Sequence, residues 1–406
     1  MSEEKAKIPA IRFKGFTDAW EQRKLGDVAD IRRGLTYSPT DISNVGVRVL
    51  RSSNINGDEF VLGDNDVFVN PKAVTIEEVR KGDILITAAN GSTNLVGKHA
   101  IIDKRTDEAM VHGGFMLLAR TQNPSFMNSL LGTSWYRRFL FLTVAGGNGT
   151  IGNLKKNDLD DQNIRVPSEL ERASLGTGAN WFDHLITLHQ RKLDLLKEMK
   201  KTLLSMLFPK NGSSIPEVRF AGFTDAWEQR KLGEIFIESN DIASDMEILS
   251  VSVSNGIYPA SESDRDVNPG ASLAKYKVVH VGDLVYNSMR MRQGAVDSSL
   301  YEGIVSPAYV VARPTDPSLS RFIGRLLKQP ILLHKYQQFS QGNSKDTLTL
   351  KYDKFAEIRV RIPRKSNEQS AIGEVFDSVD HLITLHQRKV DILKDMKKTL
   401  LKEMFV

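Results

Sequence analysis

Two stretches of the chain place residues along one stripe at a spacing of three and four, the pattern of a long amphipathic helix. The stripe is apolar except where His189 and Lys200 in the first stretch, and His386 and Lys397 in the second, complete the alternation. Residues 183–208 contain neither Gly nor Pro, and their apolar stripe consists of Ile186, Leu193, Leu196, Leu203 and Leu207. A second stretch repeats this stripe at Ile383, Val390, Leu393 and Leu400. Such spacing over about three heptads is typical of a coiled coil. We predict two long helices that pair with each other; the alternative is that each packs only on its own domain.

The remaining apolar residues come in short runs bounded by Gly, Asn, Asp or Pro, which indicates β-strands. In the first half of the chain these runs are residues 47–50, 84–87, 115–119 and 164–166. In the second half they are residues 278–281, 284–286, 309–311 and 358–362. Helical patches are predicted between them at residues 128–142 and 319–339. The pattern as a whole predicts an α+β fold.

The chain also repeats itself. The twelve residues GFTDAWEQRKLG at 15–26 recur at 222–233, and an Arg-Phe pair precedes each copy at Arg12 and Arg219. The ten residues DHLITLHQRK at 183–192 recur at 380–389. Matches of this length do not arise by chance and indicate an internal repeat. Between these repeats the two halves share only short matches, such as the Gly-Asp pair before the strands at 84 and 284. We predict one fold that carries two divergent surfaces.

This order predicts four segments. They are a variable domain at 1–167, a shared helix with its linker at 168–210, a second variable domain at 211–363 and a second shared helix at 364–406. Because the second variable domain follows the first helix closely, the second helix must run back along the first if the two pair. We therefore predict a pseudo-twofold repeat in which two long antiparallel coiled-coil helices separate two variable domains. A helix of residues 183–208 is roughly 39 Å long at about 1.5 Å per residue, close to the ~34–36 Å repeat of a DNA groove.

Composition narrows the possible chemistry. The 406 residues are 40% apolar and 26% charged, which is ordinary for a globular protein. Cysteine is absent, so disulfides and thiolate chemistry are excluded and zinc loses its commonest ligand. The first residues carry no apolar signal segment, and no run approaches the roughly 20 apolar residues of a membrane span. We expect a cytoplasmic protein. The net charge of +5 allows a polyanionic partner but does not by itself indicate one.

Polar residues follow the matching strands at 84–87 and 284–286. Candidates for contact with DNA are Asn90, Ser92, Thr93, Asn94 and Lys98 in the first copy, and Asn287, Ser288, Arg290, Arg292 and Gln293 in the second. Asn, Gln and Arg pair with adenine or guanine edges, and Ser or Thr serves either base. A solvated loop is the plain alternative. We favour contact with bases or phosphates, because the same position differs between copies while the surrounding repeats are identical.

Glycine-rich segments near residues 147–152 and 341–345 add further candidates. These are Asn148, Thr150, Asn153, Lys155, Asn343, Ser344, Lys345 and Lys351. Gly147 to Gly152 matches GxGxxG, but only 14 residues separate Gly152 from Val166, too few for a dinucleotide-binding unit. Residues 91–99 resemble a nucleotide-phosphate loop but have five residues between the glycines and a His where Ser or Thr is needed. Backbone contact with phosphate suits these loops better.

Signatures of catalysis are missing. The chain contains no Asn-Pro-Pro-Tyr tetrapeptide for methylating a base and no Pro-Asp followed by a Glu-x-Lys nuclease core. His184 and His189 lie five apart on a helix without a shared acidic ligand, so we predict no metal site. Two alternatives stay open. A diverged methyltransferase or nuclease would bind S-adenosylmethionine or cut DNA by itself, and a coiled-coil scaffold would bind proteins but no DNA.

The duplicated motif, the Gly-Asp strands and the paired DHLITLHQRK helices resemble the specificity subunit of a type I restriction–modification system, and staphylococcal members look especially similar. The resemblance covers essentially the whole chain. It implies that each variable domain is a target recognition domain that reads one half of a bipartite DNA target. It also implies that the shared helices fix the spacing and help to dock two modification (methyltransferase) subunits.

The resemblance further implies a non-catalytic chain without cofactors of its own. S-adenosylmethionine would belong to the adenine-methylating subunits, and ATP and magnesium to restriction (motor–nuclease) subunits that cut unmodified DNA. One departure from the family pattern is visible. The first copy enters its helix through Leu175-Gly176-Thr177-Gly178-Ala179. Glycine weakens a helix by about 1 kcal/mol per residue, so we expect the start of the first shared helix to be frayed or altered.

Overall fold

The computed structural model describes residues 8–104, 108–144, 152–210, 212–263, 272–342 and 348–405. The chain divides into two compact units. Unit 1 consists of residues 1–190 and 388–406, and unit 2 consists of residues 191–387. Each unit therefore contains one variable domain together with parts of both shared helices.

Unit 1 is mostly β-structure. Its strands are β1 (Glu21–Lys24), β2 (Asp30–Arg33), β3 (Ile42–Ser43), β4 (Val47–Leu50), β5 (Ile55–Asn56), β6 (Glu59–Phe60), β7 (Val67–Val69), β8 (Ile84–Thr87), β9 (Ala89–Asn90), β10 (His99–Ile101), β11 (Met110–His112), β12 (Met116–Arg120), β13 (Gly152–Asn153) and β14 (Asn163–Val166). Its helices are α1 (Pro124–Leu131), α2 (Ser134–Val144), α3 (Lys156–Asp160) and the first part of α4 (Glu169–Met206).

Unit 2 repeats this order with fewer strands described. They are β15 (Glu228–Lys231), β16 (Phe236–Ser239), β17 (Leu249–Ser252), β18 (Gly256–Pro259), β19 (Lys277–Val279), β20 (Leu284–Asn287), β21 (Val296–Ser298), β22 (Gly303–Val305), β23 (Tyr309–Pro314) and β24 (Arg359–Ile362). Its helices are α5 (Leu232–Ile235), α6 (Leu319–Leu326), α7 (Pro330–Phe339), α8 (Tyr352–Glu357) and the first part of α9 (Ser366–Met404). The last part of α4 also belongs to unit 2, and the last part of α9 to unit 1.

A four-stranded antiparallel sheet lies at the centre of each unit. Its order is β10-β8-β12-β2 in unit 1 and β21-β20-β23-β16 in unit 2. Strand β8 is buried on both faces: Ile84 and Ile86 face the core beneath the helices, and Leu85 faces a second core with Leu50. Burial on both faces explains why β8 is a continuous apolar run rather than an alternating one. Strand β20 is arranged in the same way.

The duplicated sequence motif forms the same local structure twice. Strand β1 pairs with β14 so that Glu21 lies opposite Val166, and β15 pairs with β24 so that Glu228 lies opposite Ile362. The tryptophan of each motif is buried, with Trp20 against Phe126 and Trp227 against Phe322. The predicted α+β fold and its internal repeat are confirmed.

A buried ion pair joins each motif to the start of a shared helix. Arg12 Nε and Nη2 lie 2.6 and 2.7 Å from the Glu171 carboxylate oxygens, and Arg219 binds Glu368 in the same way at 2.6 and 2.8 Å. Both carboxylate side chains are only 1% exposed. The hydrogen bond to each carboxylate raises the pKa of its arginine. We call each of these pairs a clasp.

The two shared helices run antiparallel within each unit. In unit 2, Lys200 binds Asp380 at 2.5 Å. Phe208, which follows Lys200, stacks on Phe322 and contacts Phe376, which precedes Asp380. The two helices therefore run in opposite directions. In unit 1, the equivalent Lys397 binds Asp183 at 2.5 Å. Along the predicted stripe Leu193 and Val390 are fully buried. The predicted antiparallel pairing is confirmed.

The expected fraying of the first shared helix is wrong. Helix α4 begins at Glu169 and includes Gly176. A Cβ on Gly176 would lie 3.0 Å from Ser125 Cβ and 3.1 Å from Phe126 N, so glycine lets α1 approach the helix. Gly373 occupies the equivalent place in α9, where a Cβ would lie 2.8 Å from Arg321 Cβ in α6. Close packing between helices outweighs the weak helix propensity of glycine.

The two predicted helical patches are each split. Residues 128–142 are divided between α1 and α2, which are separated at Gly132 and Thr133. Residues 319–339 are divided between α6 and α7, because Pro330 cannot continue a helix and disfavours helical backbone in the residue before it.

A phenylalanine just after the end of each shared helix packs into the hydrophobic core of one unit. Phe208 packs between Trp227 and Phe322 at centroid distances of 6.0 and 5.5 Å, and Phe405 packs between Trp20 and Phe126 at 6.0 and 5.6 Å. Replacing buried Phe208 by Ala should destabilise unit 2 by roughly 3–5 kcal/mol. Phe405→Ala should destabilise unit 1 by less, since Phe405 is only half-buried.

Hydrogen exchange resolved by peptide distinguishes the two effects. Phe405→Ala should lower protection around the tryptophan of unit 1, and Phe208→Ala around the tryptophan of unit 2. Each variant serves as the control for the other. Equal loss of protection in both units from either variant would contradict the packing described above.

Candidate nucleic-acid interface

The two predicted polar segments occupy equivalent positions. We define loop 1 as residues 88–98 and loop 2 as residues 288–295. Each loop begins directly after a strand of the central sheet, and the backbone N–H and C=O groups of its first residue bond to two other segments of the unit. Ala88 N donates to Phe115 O and Leu154 N donates to Ala88 O, at 2.9 and 2.7 Å. In unit 2, Ser288 N donates to Ala308 O and Leu350 N donates to Ser288 O, at 3.4 and 2.8 Å. The same backbone frame therefore carries two loops of different sequence.

Loop 1 is shaped by Asn90. Its Oδ1 accepts from Ser92 N at 3.0 Å, and its Nδ2 donates to Ser52 Oγ at 3.0 Å. Ser92, Thr93 and Asn94 follow as exposed residues. The side chain of Asn90 is thus occupied by contacts within the protein, and the three residues after it present amide and hydroxyl groups to solvent.

Two further candidates lie beside loop 1. Strand β13 pairs with β9 so that Asn153 lies opposite Ala89. A Cβ on Gly152 would lie 3.3 Å from Thr93 Cγ2, which brings β13 against the loop. Asn153 and Lys155 are exposed. Lys98, at the far end of the loop, is half-buried beside His99, whose pKa is lowered by burial.

Loop 2 presents cationic groups. Asn287 Oδ1 accepts from the backbone N–H groups of Met289 and Arg290 at 3.0 and 3.2 Å. Met291 is fully buried in the core beneath the helices and fixes the next turn. Arg290 on one side of Met291 is exposed. Arg292 on the other side is half-buried, and its Nε lacks a hydrogen-bond partner among the described residues.

The other candidates of unit 2 are distributed as follows. Gln293 is exposed, while Ser288 is half-buried and its Oγ donates to Ala308 O at 2.8 Å. Lys351 is exposed and follows the leucine that bonds to loop 2. Asn148, Thr150, Asn343, Ser344 and Lys345 lie outside the described residues.

Sequence reasoning missed three residues that the fold brings to loop 1. Ser52 bonds to Asn90, and the adjacent Arg51 is exposed. Phe115 is 74% exposed, and its carbonyl oxygen accepts from both Ala88 N and Ala89 N. A Gly-Gly pair before an aromatic residue was the available signal for Phe115. Nothing local in the sequence indicated Arg51 or Ser52, because they belong to a distant strand connection.

The described residues offer neither a metal-binding cluster nor a membrane-spanning helix. They contain no cluster of three His, Asp or Glu side chains placed to hold a metal ion. No helix within them combines the length and apolar character needed to cross a membrane.

Comparison with known proteins returns relatives of one kind. No family model matches the chain. The type I restriction enzyme StySPI specificity subunit of Salmonella potsdam is 24% identical over 235 residues, covering 55% of this chain and 49% of that protein. A putative type I restriction enzyme MjaX specificity subunit of Methanocaldococcus jannaschii is 25% identical over 224 residues, covering 53% of this chain and 52% of that protein. The chain spans about half the length of the curated relatives that it matches.

The fold has a solved counterpart. The crystal structure of a type I restriction–modification S subunit from M. genitalium matches 98% of this chain and 99% of its own, with a TM-score of 0.63 and 13% identity. At that identity the likeness is one of fold. The resemblance to type I specificity subunits is confirmed by these findings, while the likeness to staphylococcal members stays a prediction.

The geometry of loop 2 generates a second prediction. Asn287→Ala removes the side-chain acceptor of Met289 N–H, so the amide of Met289 should exchange with solvent about fivefold faster, the equivalent of roughly 1 kcal/mol for a hydrogen bond. Arg290 N keeps a second acceptor, the backbone oxygen of Asn287 at 3.0 Å, so its amide should change less. Asn287→Asp keeps the oxygen acceptor and should keep the protection. Unchanged exchange in the alanine variant would show that other contacts hold the loop.

Proposed function

We propose that this chain is the sequence-specific DNA recognition subunit of a type I restriction–modification complex. Each unit reads one half of a bipartite target through its loop. One observation carries the proposal: two matching frames, built from identical twelve-residue motifs, present different polar loops at the same position. A protein that reads two different half-sites needs a constant frame and a variable surface.

The side chains of the loops suit different bases. Loop 1 offers Ser92, Thr93 and Asn94, whose hydroxyl and amide groups match adenine or serve either base. Loop 2 offers Arg290 and Arg292, whose guanidinium groups match the O6 and N7 acceptors of guanine. Asn90 and Asn287 have a different role in this proposal, since their side chains shape the loops. Lysines such as Lys155 and Lys351 lie beside the loops and suit phosphate.

We propose that the chain itself does no chemistry. Adenine methylation then belongs to modification subunits that carry S-adenosylmethionine. Cleavage belongs to restriction subunits that use ATP and magnesium. This chain would hold none of these cofactors, and the complex would act in the cytoplasm, where its DNA lies.

The shared helices offer a docking surface for the modification subunits. In unit 1, Asp183 binds Lys397. Leu188 follows Asp183 by five residues and Ile392 precedes Lys397 by five. Because the helices are antiparallel, Leu188 and Ile392 lie at the same level along the pair. They are 52% and 58% exposed. In unit 2 the equivalent pair is Leu385 and Leu195, at 37% and 69% exposed. Two equivalent apolar patches suit two copies of one partner. We propose that the same helices set the spacing between the half-sites.

The arginines of loop 2 generate a third prediction. Arg290→Ala or Arg292→Ala should cost about 1–3 kcal/mol of binding free energy and relax one position of one half-site if that arginine reads guanine. The readout is selection of duplexes from a randomised pool by the full chain. An arginine on phosphate would instead weaken binding evenly and lower the salt slope by about one. Arg359→Ala, an exposed arginine of β24 in the shared frame, is the control and should leave the motif unchanged.

A pool that yields no enriched motif with the unsubstituted chain would overturn the proposed function. Methyl transfer by the purified chain without partner subunits would overturn the non-catalytic role.

The apolar patches generate a fourth prediction. The double variant Leu188→Asp with Ile392→Asp should lose one modification subunit, because burying a carboxylate in an apolar contact is costly. Leu385→Asp with Leu195→Asp should lose the other. Mass measurement of the purified complexes counts the subunits. Full occupancy in the combined variant would place the docking surface elsewhere.

A further inference from the structure

An exposed aromatic ring stands beside loop 1. Phe115 occupies the turn between β11 and β12, and its side chain is 74% exposed. Single exposed apolar residues are common on protein surfaces. Phe115 differs from other exposed apolar residues in how its backbone is held and in which groups surround it.

The backbone at Phe115 is fixed by close contacts between main chains. A Cβ on Gly34 would lie 1.9 Å from Gly113 O, so only glycine permits this approach. A Cβ on Gly114 would lie 3.2 Å from Thr36 Oγ1 and 3.3 Å from Leu35 O. The Phe115 carbonyl oxygen accepts from Ala88 N and Ala89 N at 2.9 and 3.0 Å. The turn is thus locked to the first residues of loop 1, while its ring projects into solvent.

A cationic and a polar side chain, Arg51 and Ser52, lie near this turn. A Cβ on Gly113 would lie 3.8 Å from Arg51 Cγ, which places the exposed Arg51 beside the turn. Ser52, next in the chain, bonds to Asn90 in loop 1. A rigid apolar ring among an arginine and loop amides has the composition of a surface that reads bases. Phenylalanine contributes to such a surface by contact with the methyl group of thymine.

We propose that Phe115 is a specificity-determining residue that packs against the methyl group of a thymine in the half-site read by unit 1. The proposal rests on the proposed function and deepens it. Unit 2 has Ala308 at the equivalent position, where Ser288 N donates to Ala308 O. The ring therefore serves one half-site only.

The test selects bound duplexes from a randomised pool with the full chain and with its Phe115→Ala variant. Phe115→Ala should relax one A·T position of one half-site, weaken binding of the selected duplex on the order of tenfold and leave the other half-site unchanged. Phe115→Leu, which keeps an apolar side chain, should retain part of the preference. Leu170→Ala is the matched control, because Leu170 also belongs to unit 1 and is 76% exposed. It should change nothing.

An unchanged motif and affinity in a folded Phe115→Ala variant would overturn the proposal and indicate that the ring contacts protein instead. An even loss of affinity without a change of motif would also overturn it, as would relaxation at a G·C position. A thermal melt matching that of the unsubstituted chain establishes that the variant is folded. If the unsubstituted chain selects no motif, the proposed function itself fails.

Discussion

The clasp is the interaction on which each unit depends. Arg12 and Glu171 are 159 residues apart, and Arg219 and Glu368 are 149 apart, yet both pairs form the same two-bond contact with a buried carboxylate. An unpaired charge at such a site costs about 3–5 kcal/mol, so the segment before each motif must reach the first turn of a shared helix. That constraint fixes where the motif strand pairs and where the tryptophan packs.

The clasp also explains how two different loops stand in one frame. The clasp fixes the motif strand and the start of the shared helix. The central sheet of each unit packs against the core beneath the helices, and one of its strands, β8 or β20, leads directly into loop 1 or loop 2. Backbone hydrogen bonds, such as Ala88 N to Phe115 O and Ser288 N to Ala308 O, connect each loop to that frame. Backbone bonds do not depend on side-chain identity, so loop 1 and loop 2 differ freely in sequence. A loop that carries two arginines and a loop whose exposed residues 91–94 are uncharged thereby occupy equivalent places.

Part of the candidate site was predictable from sequence and part was not. The polar runs after matching strands were visible, because strands of continuous apolar residues are easily recognised. Their roles were not visible: Asn90 and Asn287 have the residue type of base readers, but their side-chain oxygens accept from backbone N–H groups of loop 1 and loop 2. Arg51 and Phe115 were missed because they reach loop 1 across the fold. The glycines of the first shared helix were misjudged, since helix propensity is local and the contact with α1 is not.

The sequence by itself determined the internal repeat, the α+β class, the long helices and the equivalence of the two loops, since each of these follows from periodicity or identity along the chain. The tertiary structure decided which unit the end of each shared helix packs against. Phe405 closes the core of unit 1, and Phe208 closes that of unit 2, so each compact unit draws on both shared helices rather than on one continuous segment. The physical reason is that an antiparallel helix pair returns the chain to its starting domain, and contacts between distant segments leave no periodic signal in the sequence.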